Sequence, residues 1–398
     1  MEKILIISQY YKPEPFLINE VIENLNEKGY ELTILTGLPN YPEGEIYKGY
    51  KHGTTNENGL EVIRVNARPR KKGKLNLFLN YFSFALKGSI KSLKLKGDYD
   101  VVYVYQLSPV FMAIPALIYK FKYKKKVLLY CLDLWPQSLV AGGIKNKSLI
   151  YKIFLVVSKI IYKNVDKIQI SSSLFERYFK EELKINKTLS YSPQYANDLF
   201  LNNSIDSYMD INQDKINIMF AGNIGEMQSI ETIIKAIQVA DNSKLHFHII
   251  GDGSNKEKLM NLVFELNIED QITFHGRKPV ESMPMYYSNA DGLIVSLKKD
   301  DIISYTLPGK VQTYMASGKP IIGSIDGEAA EVIEKSKCGL VSPAEDIQKL
   351  ADNLNKFCSM NSEIRKQLGN NGFEYYKVNF TKEIFINNLI KDMEEISK

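Results

Sequence analysis

Cysteine is scarce in this chain: three thiols, Cys131, Cys338 and Cys358, in 398 residues. An odd number at wide spacing fits neither a disulfide framework nor a zinc site, and a reducing compartment is the simplest setting. Histidine is almost as rare, with four residues. His246 and His248 alternate along an apolar run, a pattern that suits structural more than catalytic work. No run of about 18 apolar residues occurs, so no membrane-spanning helix is expected. Phe111–Tyr119 is short and holds Pro115, and Leu149–Tyr162 is broken by lysines. The opening "KILIIS" reads as a strand and not as a leader. A strong charge bias is missing too. The net charge of +5 is too small to argue for a nucleic-acid partner.

What is present is enough for two cores, with 44% hydrophobic and 24% charged residues. Short apolar runs alternate with helical patterns. "KILIIS" precedes "FLINEVIENLNEKG", whose Val21, Ile22 and Leu25 share one face and whose Gly29 stops the helix. "YELTILT", "LEVIRV", "DVVYVY", "KVLLYCL" and "KIQIS" continue as strands. The pattern restarts after residue 210 with "INIMFAG", "KLHFHIIG", "QITFHG", "ADGLIVSL" and "KPIIGS". Runs buried on both faces and separated by helices predict an α/β fold with two doubly wound, Rossmann-like domains facing across a cleft. The polar stretch "NDLFLNNSIDSYMDINQDK" is the expected linker. The domains are set at 1–205 and 206–375, with 376–398 a C-terminal helix packing back on the first. In such sheets ligands bind beyond the carboxyl ends of the strands.

Four strand ends in the second half carry anion-binding chemistry. In "FAGNIGEMQSIETIIKA", Gly222 and Gly225 permit a tight turn with free amides, and Ser229 is placed to cap a helix. "IIGDGSNKEKL" brings Gly251 and Gly253 but lacks the third glycine of a dinucleotide fingerprint. "FHGRKP" adds Arg277 and Lys278. In "LPGKVQTYMASGKP", Pro308 and Gly309 form a turn into a helix that begins near Lys310. A lysine in a first turn opposes the helix dipole, which makes sense if it faces an anion sharing that terminus.

The order of "GNIGEMQSI", "GDGS", "FHGRKPV", "YYSNADGLIVSL", "LPGKVQTYMASGKP" and "GEAAEVI....CGLVSP" resembles the family 4 retaining glycosyltransferases of GT-B fold. "YYKPEP", "GLPNYPEG" and "DLWPQSLVAGG" in the first half agree. The likeness is strongest to the bacterial subgroup of O-antigen and capsule enzymes that includes N-acetyl-L-fucosamine and colanic-acid transferases. The resemblance implies a nucleotide-sugar donor, UDP-linked by expectation, as substrate in the C-terminal domain and an acceptor in the N-terminal one. It places Gly222, Asn223, Gly225 and Gln228 at the donor diphosphate, Arg277 and Lys278 near the base, and Lys310 facing the diphosphate. Glutamates that the wider family holds at positions 305 and 313 are here Tyr305 and Thr313, so ribose contact passes to Glu328 or Glu331. Asn40, Tyr41, Gln106 and Trp135 are expected around the acceptor, and Asp133 and Glu14 as catalytic carboxylates with Lys310. No cofactor and no metal are expected. Asp98 and Asp100 in "DYD" mimic a metal motif but lead straight into an apolar strand.

Arg64–Lys96 holds Arg64, Arg68, Arg70, Lys71, Lys72, Lys74, Lys87, Lys91, Lys94 and Lys96 without an acidic residue. Leu75, Phe78, Leu79, Phe82, Leu86, Ile90 and Leu93 recur there at helical spacing. Such a helix suits an anionic membrane surface, or else packs on its own sheet with a solvated basic face. The expectation is a cytoplasmic enzyme, peripheral on the inner leaflet. It moves a sugar, an N-acetylated 6-deoxyhexose for choice, from a UDP-sugar to a polyprenyl-diphosphate-linked saccharide. The alternatives are an enzyme like UDP-N-acetylglucosamine 2-epimerase and a non-catalytic sugar-nucleotide-binding partner.

Overall fold

A computed structural model describes residues 2–71, 73–141, 144–146, 148–201 and 211–398, with backbone alone at Lys74 and Ala141. The chain forms two compact units, Met1–Ser192 with Ile386–Lys398, and Pro193–Phe385. The division expected near residue 205 lies outside the described residues, as do Lys72 and the glycines of "VAGG". The units part earlier because Ala196 and Phe200 join the second core. Phe200 stacks on Tyr287 with centroids 5.5 Å apart, and Ala196 donates its amide to the Tyr376 hydroxyl at 3.2 Å. The C-terminal stretch is two helices, Ser362–Asn379 and Lys382–Ser397. Only residues from Ile386 on belong to the first unit. There Asp392 accepts from Gln169 and pairs with Lys167, both at 2.7 Å.

In the first unit the strands are β1 (Lys3–Ile7), β2 (Glu31–Gly37), β3 (Gly53–Glu57), β4 (Leu60–Val65), β5 (Val101–Gln106), β6 (Lys126–Cys131), β7 (Lys167–Ile170) and β8 (Leu189–Tyr191). Their order is β3-β4-β2-β1-β5-β6-β7-β8. All pairs are parallel except β3–β4. The hairpin turns at Asn58 and Gly59, both at positive φ, as a tight two-residue turn demands. Its polar first arm carries no apolar alternation, so sequence pattern did not reveal it.

The second unit continues with β9 (Ile216–Ala221), β10 (Leu245–Ile250), β11 (Ile272–Gly276), β12 (Gly292–Ser296), β13 (Ile321–Ser324) and β14 (Gly339–Ser342). They form one parallel sheet ordered β11-β10-β9-β12-β13-β14. Successive side chains enter opposite cores, as the two-residue period of a strand requires. Ile218 and Phe220 pack on one face, Met219 and Ala221 on the other. Because every strand runs the same way, the loops after all six share one edge. Chain order reverses between β9 and β12, the position where doubly wound sheets open a crevice.

Candidate active site

The crevice is built first from glycine. Gly222 ends β9 at φ +143°, and Gly251 ends β10 at the same value. A Cβ on Gly251 would lie 1.8 Å from the Gly222 carbonyl oxygen, and one on Gly253 would lie 2.4 Å from that of Ile224. The two turns therefore pack backbone on backbone. Gly222 and Ile224 donate to Ile250 and Asp252, each at 2.9 Å. Gly225 donates to the Gln228 side-chain oxygen at 3.1 Å, which also takes the Asn223 amide at 3.3 Å. Most amides of the expected anion turn are thus spent inside the protein. Gln228 and Asn223 brace the loop.

Across the switch point, Pro308 caps the helix Gly309–Ala316. Lys310 leaves its first turn and lies over Gly222, where a Cβ would sit 2.7 Å from its Cε and 2.8 Å from its Nζ. The ammonium rests 4.6 Å from the centroid of the Phe220 ring. No hydrogen bond or ion pair engages it among the described residues. Burial without a counter-ion lowers its pKa to about 8. The amides of Gly309 and Lys310 likewise take no backbone acceptor among the described residues. A buried cation thus rises from the first turn of a helix whose leading amides take no backbone acceptor among the described residues, and both features suit an anion.

Other expected donor residues fall along this edge with varied exposure. Arg277 and Lys278 are exposed after β11. Thr313 bonds back to the Gly309 carbonyl at 2.9 Å, so its hydroxyl is occupied within its own helix. Glu328 is buried at the start of the helix Glu328–Ser336. Gly327 before it, at φ +66°, would set a Cβ 2.0 Å from the Ser304 oxygen, so the loops after β12 and β13 touch. Ser229 occupies the cap position of Ile230–Ala240, yet its hydroxyl meets Thr232 at 3.0 Å and Glu345 at 3.2 Å and does not cap. His248 bonds Asn217 and His275 at 2.9 and 3.0 Å, and burial holds its pKa down to about 3, so it is a neutral member of the sheet.

In the first unit the structure gives several residues expected at an acceptor a different place. Glu14 is buried, not exposed: its Oε1 accepts from the amides of Asn40 and Tyr41 at 2.8 and 2.7 Å. It staples two loops. Asn40 is buried as well, its oxygen taken by the Arg70 amide at 2.7 Å. Gln106 is fully buried, donating to Leu107 and Asp133 carbonyls at 2.9 Å and accepting from Tyr162 at 3.0 Å. Both side-chain amide hydrogens of Gln106 are thus spent inside the protein. Trp135 is a core side chain whose indole donates to Ser108 at 2.8 Å. Tyr41 is half-buried, 5.2 Å from the Phe16 ring and under Arg70 at 5.6 Å.

Asp133 differs from these. It follows β6, accepts from the Ser138 hydroxyl, and its carboxyl pKa is raised by burial. Ser108, Ser138 and Tyr81 around it carried no sequence signal, because short hydroxyl side chains in loops look alike. Asp98 pairs with Lys3 at 2.9 Å, and Asp100 accepts the Lys3 amide at 3.0 Å, so "DYD" secures β1.

The basic stretch divides. Arg64 is buried against Glu57, with Tyr50 4.9 Å from its guanidinium, and leaves the expected surface. The helix Lys74–Ser92 buries Asn80, Tyr81, Phe84 and Ala85 and turns Leu75, Leu79, Phe82, Leu86, Ile90 and Leu93 outward. Leu75 is 72% exposed and Leu86 61%. The outer face therefore carries these apolar side chains together with the exposed Lys87. No helix among the described residues is long and apolar enough to cross a membrane.

Residues 205–375 match the family described as "Glycosyl transferases group 1". Among curated proteins, a probable glycosyltransferase WbjE of Pseudomonas aeruginosa is 27% identical over 63% of this chain and 63% of its own length. The chain thus spans under two thirds of that relative. A putative colanic acid biosynthesis glycosyl transferase WcaI of Escherichia coli is 22% identical over 79% of this chain and 81% of its own. Among solved structures, a sucrose-phosphate synthase from Thermosynechococcus elongatus superposes with TM-score 0.75 at 18% identity, covering 100% of this chain and 99% of that one. Anabaena HepE in complex with UDP gives 0.69 at 11% identity, over 99% and 100%. The fold is GT-B, and residues 205–375 are similar to the group 1 glycosyl transferases.

Proposed function

We propose that the chain is a retaining glycosyltransferase of capsule or O-antigen type. It transfers a sugar from a UDP-sugar, an N-acetylated 6-deoxyhexose for choice, to a polyprenyl-diphosphate-linked saccharide at the cytoplasmic leaflet. One observation carries this reading: an ammonium without an anion, lying over the Gly222 turn at the sheet's switch point. The family match over the same unit, the capsule and colanic-acid names of the relatives, and UDP bound in a protein of the same fold support it.

In this reading the donor diphosphate takes Lys310 and the helix amides of Gly309 and Lys310. Arg277 and Lys278 approach the base, and Glu328 the ribose. As the bond from the anomeric carbon to the phosphate oxygen breaks, negative charge grows on the diphosphate and Lys310 stabilises it. The acceptor oxygen bonds that carbon on the face the diphosphate leaves, and its proton passes to the departing phosphate oxygen. The balance needs no metal and no enzyme nucleophile. Asp133, in the first unit, is the residue for the acceptor hydroxyl. The lipid acceptor explains an apolar, acid-free helix at Lys74–Ser92.

The test is a thermal-shift panel of nucleoside diphosphates and their sugars with wild type and Lys310→Met. A ligand selective for the native state raises Tm. UDP and one UDP-sugar are expected to raise it in wild type and much less in the variant. No nucleotide raising wild-type Tm, or an equal rise in both proteins, overturns the assignment.

A further inference from the structure

The apolar face continues on a second helix, through the lysine-interrupted run Leu149–Tyr162. The helix Leu149–Asn164 is capped by Ser148, which accepts the Tyr151 amide at 3.2 Å. It buries Tyr151, Ser158, Ile161 and Tyr162 and turns Leu149, Ile150, Ile153, Val156 and Ile160 outward, Leu149 at 74% exposure. Phe154 joins it to the first helix, stacked on Phe78 at 5.5 Å and tilted against Phe82 at 6.5 Å. The two helices carry Lys87, Lys91, Lys152, Lys159 and Lys163 and not one acidic residue.

A small cavity of about 90 Å³, partly open to solvent, lies against the first helix at Leu77, Phe78 and Tyr81. Leu77, Phe78, Tyr81, Trp135, Leu139 and Ile144 form its apolar wall. Ser108 and Ser138 add its polar lining, and Ser138 is the residue bonded to Asp133. Beside Tyr81 stands Arg70, half-buried over the Tyr41 ring at 5.6 Å and surrounded by Tyr10, Tyr41 and Tyr81. No carboxylate pairs with Arg70 among the described residues. A half-buried guanidinium held only by aromatic rings and hydroxyls retains its capacity for a phosphate.

We propose that this cavity takes a hydrocarbon segment of a polyprenyl phosphate, with the lipid's phosphate on Arg70. The inference rests on the lipid-acceptor reading above and gives that acceptor its place. The two-helix face supplies the entry, since lipid reaching the cavity passes an apolar, cationic surface. Ser138 in the polar lining, bonded to Asp133 behind it, sets the distance from chain to reacting hydroxyl. A free phosphate offers Arg70 the same charge but leaves the apolar wall unused, and this separates the two sources.

Trp135 is the sole tryptophan and lines the cavity, so its fluorescence reports occupancy directly. The experiment titrates the full chain with farnesyl diphosphate, farnesol and inorganic pyrophosphate. Farnesyl diphosphate is expected to give a saturable change in emission, farnesol a weaker one and pyrophosphate none. Arg70→Gln is expected to weaken farnesyl diphosphate about tenfold or more and leave farnesol unchanged, as loss of one charge-assisted contact requires. Leu77→Phe, which fills the cavity, is expected to abolish both. Circular dichroism melting checks that it folds, and Arg70→Gln carries the test if it does not. The absence of any lipid effect on Trp135, or equal affinity of farnesol and farnesyl diphosphate, overturns the proposal. Binding to anionic vesicles that Leu77→Phe leaves intact, with no farnesyl diphosphate response, also overturns it and leaves the face as a bilayer contact alone. A UDP thermal shift run in parallel separates the two readings: UDP binding without a Trp135 response sinks the slot but not the transferase, and the converse result sinks the transferase but not the slot.

Discussion

Replacing Lys310 by Met separates binding from stability, because the two must move in opposite directions. In the folded protein, burial without a counter-ion holds the ammonium at about 8 against 10.5 ordinarily. At about 1.36 kcal/mol per pH unit the difference is roughly 3 kcal/mol. That is an upper bound, since the side chain keeps some contact with solvent. The unfolded chain binds this proton more tightly, so the cost is fully present below about pH 8 and is released as pH rises toward 10.5. Lys310→Met, an apolar side chain of similar reach, should therefore raise stability at pH 7 by about 1–2 kcal/mol. Its melting temperature should rise by about 2–4 °C per kcal/mol for a unit of this size, with the advantage shrinking above pH 8. UDP binding should fall at the same time. Losing a charge-assisted contact to a diphosphate costs about 1.5–3 kcal/mol, or roughly 10- to 150-fold in Kd. Wild-type affinity should decline above about pH 8 as Lys310 deprotonates, whereas the variant should show no such decline. Calorimetric titration with UDP between pH 6.5 and 9, beside thermal melts, reads both effects. A variant that binds UDP like wild type with the same pH slope refutes the placement of the diphosphate.

Gly251→Ala should cost at least about 3 kcal/mol, because its Cβ meets the Gly222 carbonyl and its φ of +143° disfavours any side chain; urea unfolding measures it. Asp133→Asn should abolish most transfer while leaving UDP affinity unchanged. It should also stabilise the protein at pH 7, since burial raises the carboxyl pKa and the ionised form is the costly one; the gain should vanish as pH falls toward the unfolded value near 4. Glu14→Ala should lose about 2–4 kcal/mol in urea unfolding, because it strands the Asn40 and Tyr41 amides. An unchanged midpoint would place Glu14 outside the loop brace described above.

The sheets were legible because their strands are buried on both faces and read as unbroken apolar runs. Glycine turns and Lys310 were legible because strand, glycine and helix follow one another closely in the chain. What escaped notice was long-range. Glu14 and Gln106 looked available, but their partners come from loops 26 and 27 residues away, at Asn40 and Asp133. Arg64 counted as surface charge until the β3–β4 hairpin placed Glu57 beside it. The helix Leu149–Asn164 was judged only as a possible membrane span, and its kinship with Lys74–Ser92 depends on aromatic stacking that no local pattern encodes.

The backbone contact between the Gly222 and Gly251 turns ties the chain's capacity to change to its geometry. With Ile224 also bonded to Asp252 at 2.9 Å, and Asn255 to Ile224 at 3.0 Å, neither turn can lengthen or gain a side chain without displacing the other. Arg277 and Lys278, exposed after β11, carry no such backbone contact among the described residues. Divergence in ligand preference within this scaffold should therefore accumulate at the rim after β11 and spare the paired turns, where a single substitution demands a second.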